Sequence, residues 1–168
     1  KRYTANIWVF HVIRHYKNFL EKNNSKYKKI LKELILKSEK IEKNSSPFDI
    51  VYSHNDLLAA NFIDKNGKLF LVDWEYAGYN TPLFDLGGLS SNNNFSKKQE
   101  KIMLENYFEK KITSSLMHKF YCIKTASLLR ETMWSMVAEI ISKIDFDYEN
   151  YTKQNMENFN KAFKNLRI

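Results

Sequence analysis

The chain has 168 residues, with 27 lysines and arginines against 19 aspartates and glutamates, giving a net charge of +8. That length suits one domain with a sizeable core, and four glycines with two prolines exclude a loop-dominated or collagen-like protein. Only four of the basic residues are arginine and no nucleic-acid-reading motif is present, so the charge is not read as a nucleic-acid surface. No apolar run approaches the ~20 residues of a membrane span. Ile7-Trp8-Val9-Phe10 is too short for a signal peptide, and the lone Cys122 cannot form an internal disulfide. The expectation is a soluble, cytoplasmic chain without membrane insertion.

Residues 4–21 carry Ile7, Trp8, Phe10, Val12, Ile13, Tyr16, Phe19 and Leu20 at helical spacing, and residues 25–43 repeat the pattern with Tyr27, Ile30, Leu31, Leu34, Ile35 and Ile41. Two amphipathic helices joined across Asn23-Asn24 follow. Lysines 26, 28, 29, 32, 37, 40 and 43 are read as the solvated face of the second helix. His11 and His15 lack metal-ligand spacing with any acid or cysteine and read as a helix-surface pair.

Asn44-Ser45-Ser46-Pro47 ends the helical region. Ile50-Val51-Tyr52 is a short β-like run feeding into His54. Asn61-Phe62-Ile63, then Asp64-Lys65-Asn66-Gly67, then Lys68 to Val72 predict strand, turn and strand, with Asn-Gly the strongest short hairpin signal. Asn92-Asn93-Asn94 marks a loop. Beyond it, helical spacing predicts helices over 97–110, 114–144 and 155–166. Cys122 falls in an apolar helical stretch, as an inert core thiol does.

The hairpin brings two chemical motifs together. His54-x-Asp56 is followed five residues later by Asn61, and the second strand runs into Asp73-x-Glu75. Phosphoryl transfer needs one carboxylate beside the attacking hydroxyl and a few hard oxygen ligands that hold magnesium against nucleotide phosphates. Asp56 fits the first requirement; Asn61 and Asp73 fit the second.

With Pro82-x-x-Asp85-Leu86 added, this run resembles the choline/ethanolamine kinase family, within the larger group that includes aminoglycoside phosphotransferases and has a protein-kinase-like fold. The resemblance implies an α+β, mostly helical C-terminal lobe of that fold with a small catalytic β-hairpin. It further implies that Asp56 is the catalytic base, that His54 steadies the catalytic loop, and that Asn61 and Asp73 bind Mg²⁺ with Glu75 assisting. ATP would be the phosphoryl donor. Asp85 is expected either to support the loop backbone from a buried position or to cap a helix from Leu86 onward.

Residues 128–135, containing Arg130, Glu131 and Trp134, and residues 145–151, containing Phe146, Tyr148 and Tyr151, look like the stretch of choline kinases that lines an ammonium pocket. By that likeness Trp134, Tyr148, Tyr151 and Phe146 would bind the substrate cation through their ring faces, with the last two tyrosines in a turn after the Trp134 helix. Glu131, three residues before Trp134 on one helical face, would balance the charge. Eukaryotic members carry an aromatic about where Glu131 stands. A bland alternative makes all of these core residues and Arg130-Glu131 a structural ion pair.

The likeness spans residues 1–168 as the substrate-binding and catalytic lobe, and the nucleotide-covering N-terminal lobe is expected to be absent, since the residues before His54 read as helices and contain no glycine. Lys1-Arg2-Tyr3 reads as a cut just after a hinge, and the isolated chain is expected to be a poor kinase. The favoured acceptor is choline or ethanolamine. Other acceptors, such as an aminoglycoside or thiamine, and a non-catalytic choline-binding module are the alternatives.

Overall fold

The long apolar segment near the C-terminus dictates the architecture. A computed structural model describes residues 8–46 and 49–168, and within it α5 (Ser114–Ile141) has apolar residues around much of its circumference, burying Phe120, Ile123, Leu129, Met133 and Met136 completely. Such a helix needs neighbours on more than one side. It is packed by α1 (Val9–Lys22), α2 (Lys28–Ser45), α3 (Pro82–Asn92) and α6 (Tyr148–Leu166).

The two N-terminal helices form the expected hairpin, with Asn24 in the left-handed region at the turn. Residues 4–7 of the first predicted helix, Pro47 of its predicted terminator and the Lys1-Arg2-Tyr3 start lie outside the described residues. Most lysines of the second helix are exposed, as expected. Lys26 is a correction: it precedes α2 and bridges Glu139 and Glu149, tying the end of α5 to the start of α6.

Between α2 and α3 along the chain come two small antiparallel sheets. β2 (Phe62–Lys65) pairs with β3 (Lys68–Leu71) around Asn66 and Gly67, both at positive φ, the backbone a two-residue turn of this hand requires. β1 (Val51–Ser53) pairs with β4 (Gly78–Asn80). The second pairing joins segments 25 or more residues apart, so no local pattern announced it.

A helix here was expected only as one alternative, starting at Leu86 behind an Asp85 cap; α3 starts earlier, at Pro82. Thr81 caps it, with Pro82 in its first turn. A Cβ at Gly87 would stand 3.1 Å from the Cα of Lys124, so glycine there lets α3 lie directly on α5. Beneath this contact Glu100 of α4 (Lys97–Phe108), 2% exposed, accepts bonds from Ser90, Lys124 and Tyr121. Helix α5 ends at Ile141, before the predicted Ile144, and α6 begins at Tyr148 with Asp147 as its cap, seven residues before the predicted start. No described helix is long and apolar enough to cross a membrane.

Candidate active site

The loop from His54 to Asn61 is held by a web of short polar contacts. Asp85 lies in the first turn of α3, where its carboxylate accepts the backbone N–H of His54 and of Asn55, each at 2.7 Å. Thr81 is the helix cap, so Asp85 is not. Burial pushes the Asp85 carboxyl above its ordinary range, against the pull of those two N–H groups.

Asn55 takes φ +67°, a left-handed backbone that asparagine tolerates better than most residues. Its Oδ1 accepts from Asn80 at 2.8 Å and its Nδ2 donates to the Tyr76 carbonyl at 3.1 Å. This buried amide pair locks the loop to β4. Neither residue stood out in the sequence, since an asparagine–asparagine contact across 25 positions has no local signature.

His54 is 2% exposed and its Nε2 lies 2.8 Å from the Val72 carbonyl, so the ring donates there and ties the loop to the residue before Asp73. The edge contact of its ring with Trp74, at 4.8 Å between centroids, fixes it further. Asn61 donates from Nδ2 to the Asp56 carbonyl at 3.0 Å, which leaves its amide oxygen as an available ligand. The backbone N–H of Val72 donates to the Asn61 carbonyl at 3.0 Å, so Asn61 and Asp73 sit side by side at the base of the hairpin.

Asp73 has φ +61°, and both it and Glu75 are exposed. Among the described residues no lysine or arginine pairs with either carboxylate. One amide oxygen and two unpaired carboxylates are hard donors of the kind Mg²⁺ takes together with water and phosphate oxygens. Among the described residues no three His, Cys, Asp or Glu side chains gather as a metal cluster; the donor set here is mixed, one amide and two carboxylates.

Beside this loop opens a cleft of about 750 Å³, within the usual range for small-molecule sites. Asp56 lies in its wall. So do Glu131, Trp134, Phe146, Tyr148 and Tyr151, contributed by α5, the α5–α6 connection and α6. The structure therefore places Asp56 and the expected cation-binding residues around one space, with Asn61, Asp73 and Glu75 outside its lining.

The four rings form a closed circuit. Trp134 meets Tyr148 at 6.2 Å, Tyr148 meets Phe146 at 4.9 Å, Phe146 meets Tyr151 at 5.6 Å and Tyr151 meets Trp134 at 6.5 Å, every pair edge to face. Tyr148 and Tyr151 belong to the first turn of α6, correcting their expected place in a turn. Hydroxyl bonds hold the rings: Tyr148 donates to Ser142 at 2.8 Å, and Tyr151 to Glu131 at 2.9 Å. Below them the buried Ser135 and Thr152 hydroxyls, 2.7 Å apart, join α5 to α6. Trp134 and Phe146 remain 38% and 52% exposed, unlike core residues.

Several cleft residues escaped the sequence reading. Tyr16 was assigned to the apolar face of α1 yet reaches the cleft, where burial raises its pKa and the nearby Arg130 guanidinium opposes the rise. Tyr76, just after the Asp73-x-Glu75 motif, also lines it. Cys122 is fully buried, with its thiol pushed up to about 11, and it takes no part.

Comparison with known proteins identifies the family and the fold. The family model for choline/ethanolamine kinase matches residues 2–95. A LicA homolog of Metamycoplasma hominis is 34% identical over 121 residues, covering 70% of this chain and 44% of that protein. The solved choline kinase LicA from Streptococcus pneumoniae superposes with a TM-score of 0.80 at 22% identity, covering 96% of this chain and 56% of its own. A LicA structure in complex with AMP gives 0.76 at 21% identity, covering 99% and 57%. The chain thus spans about half the length of these relatives.

Proposed function

Because the chain belongs to the choline/ethanolamine kinase family, we propose that it supplies the catalytic loop and acceptor pocket of a kinase that moves the γ-phosphoryl group of ATP to the hydroxyl of choline or ethanolamine. The observation that carries this reading is the single cleft shared by Asp56 and the four-ring circuit. An ammonium group lodged against the rings would direct its short hydroxyl arm toward Asp56.

There the carboxylate would accept the hydroxyl proton as the oxygen attacks the γ-phosphorus and ADP departs. His54, Asn55 and Asp85 hold that loop through the bonds described above and are positioning residues. Asn61 and Asp73, with Glu75 adjacent, would hold Mg²⁺, which when bound offsets the charge of the triphosphate. A nucleotide-bound LicA among the structural neighbours supports the ATP assignment.

We assign residues 1–168 to the catalytic and acceptor-binding lobe. The phosphate-covering loop and the strand lysine that this chemistry requires would be provided by a separate lobe. No described segment before the catalytic loop offers them, because α1 and α2 occupy that stretch.

Titration of the chain with amines by calorimetry tests the acceptor. Trp134→Ala is expected to weaken choline by about 1–2 kcal/mol, as for a desolvated cation–π contact, and ethanolamine by less, since its ammonium can still donate hydrogen bonds. Unchanged choline affinity would remove the aromatic circuit from substrate recognition and favour an aminoglycoside or thiamine acceptor.

A further inference from the structure

The carboxylate in the cleft wall has an unusual setting. Glu131 receives the Tyr151 hydroxyl on one oxygen, and Arg130 Nη2 lies 2.9 Å from the other. Both partners line the same cleft. Tyr151 itself is one wall of the aromatic circuit, so the bond fixes the carboxylate at the rim of the space an ammonium would occupy.

Two consequences follow from elementary electrostatics. The guanidinium cancels the carboxylate charge at any distance greater than the separation of the pair, so a cation in the ring circuit gains little from Glu131 through space. At contact range the situation differs. A carboxylate offers about four lone-pair directions, and the two bonds in place leave others open to an N–H donor. Tyr151, with its pKa raised to about 12 by burial and then by the neighbouring Glu131 charge, remains a donor to the carboxylate across the physiological range.

Resting on the amino-alcohol reading above, we propose that Glu131 is a specificity-determining residue that senses whether an N–H is present, so that the cleft prefers amines bearing at least one N–H over the quaternary ammonium of choline. Ethanolamine and its mono- and dimethyl derivatives can donate directly to the carboxylate. Choline presents only methyl groups and is held by the rings alone.

Dimethylethanolamine and choline make the decisive pair, because they carry the same charge at neutral pH and differ by one methyl group in place of one N–H. Calorimetric titration of the chain with ethanolamine, its N-methyl and N,N-dimethyl derivatives and choline is expected to give similar affinities for the first three. Choline should then be about tenfold weaker, the loss of one charge-assisted hydrogen bond. In Glu131→Gln, checked for unaltered thermal unfolding, the uncovered Arg130 guanidinium weakens binding of both cations, and dimethylethanolamine should lose about tenfold more affinity than choline. Arg130→Met, which uncovers the carboxylate charge, should tighten choline binding. Choline affinity equal to that of dimethylethanolamine, or equal weakening of both by Glu131→Gln, would overturn the assignment and leave the amino-alcohol reading standing. Binding of none of the four amines would overturn that reading and this inference with it.

Discussion

Asp56→Ala, assayed with the chain joined to a nucleotide-covering lobe from a relative, is expected to lower kcat by about 10²- to 10⁴-fold, the span of a lost general base. Amine affinity should remain within about twofold, because the rings proposed to hold the ammonium are untouched. The argument is geometric. Asp56 is the carboxylate that the catalytic loop presents to the cleft, and its backbone is fixed by the Asn61 side chain and by the N–H of Leu58. Asp73→Ala should be comparably damaging for another reason, because it removes a proposed Mg²⁺ ligand and would so weaken productive nucleotide binding. Steady-state kinetics with both substrates varied separates them. Asp73→Ala should raise the KM for the magnesium nucleotide, whereas Asp56→Ala should act on kcat alone.

Asp85→Ala should cost about 2 kcal/mol of stability, read from the urea midpoint of unfolding, and should also abolish most turnover. Two backbone N–H groups, of buried His54 and Asn55, would lose their only acceptor, at roughly 1–3 kcal/mol each. Relief of the buried carboxylate's desolvation, evident in its raised pKa, offsets part of that. Asp85→Asn keeps one acceptor oxygen and should fall between wild type and alanine. An alanine variant of full stability and full turnover would mean that the bonds of His54, Asn55 and Asn61 hold the loop without Asp85.

Legibility in the sequence followed the range of the interactions. The β2–β3 hairpin was readable because Asn66-Gly67 encodes its turn within two residues. The amphipathic helices α1 and α2 were readable from their spacing. The β1–β4 pair and the Asn55–Asn80 amide bond were not, since each links distant segments through a few residues. Helix α3 was legible only as an alternative starting at Leu86, for a related reason. Its two glycines look like breakers locally, and Gly87 makes sense only against Lys124 on the neighbouring helix.

The candidate site divides in the same way. Asp56, Asn61 and Asp73 announce themselves by spacing around a hairpin. The aromatic residues were identified by family likeness, and their perpendicular, mutually bonded arrangement emerges only when α5 and α6 pack. The start of α6 was placed too late because Asp145 to Asn150 is rich in polar residues, although Asp147 is the capping residue. Tyr16 was invisible as a cleft residue, because a tyrosine on an apolar helix face looks like core until the helix is docked.

The central claim is tested most directly by phosphorus NMR of ATP incubated with magnesium, ethanolamine or choline, and the chain, either alone or joined to a nucleotide-covering lobe. The account predicts a phosphomonoester resonance of the amino alcohol from the joined protein, its loss in Asp56→Ala, and negligible product from the 168 residues alone. A joined protein that binds the amines and ATP yet forms no phosphomonoester would contradict catalysis and leave a non-catalytic amine-binding module. Robust product from the isolated chain would contradict the assignment of nucleotide covering to a separate lobe.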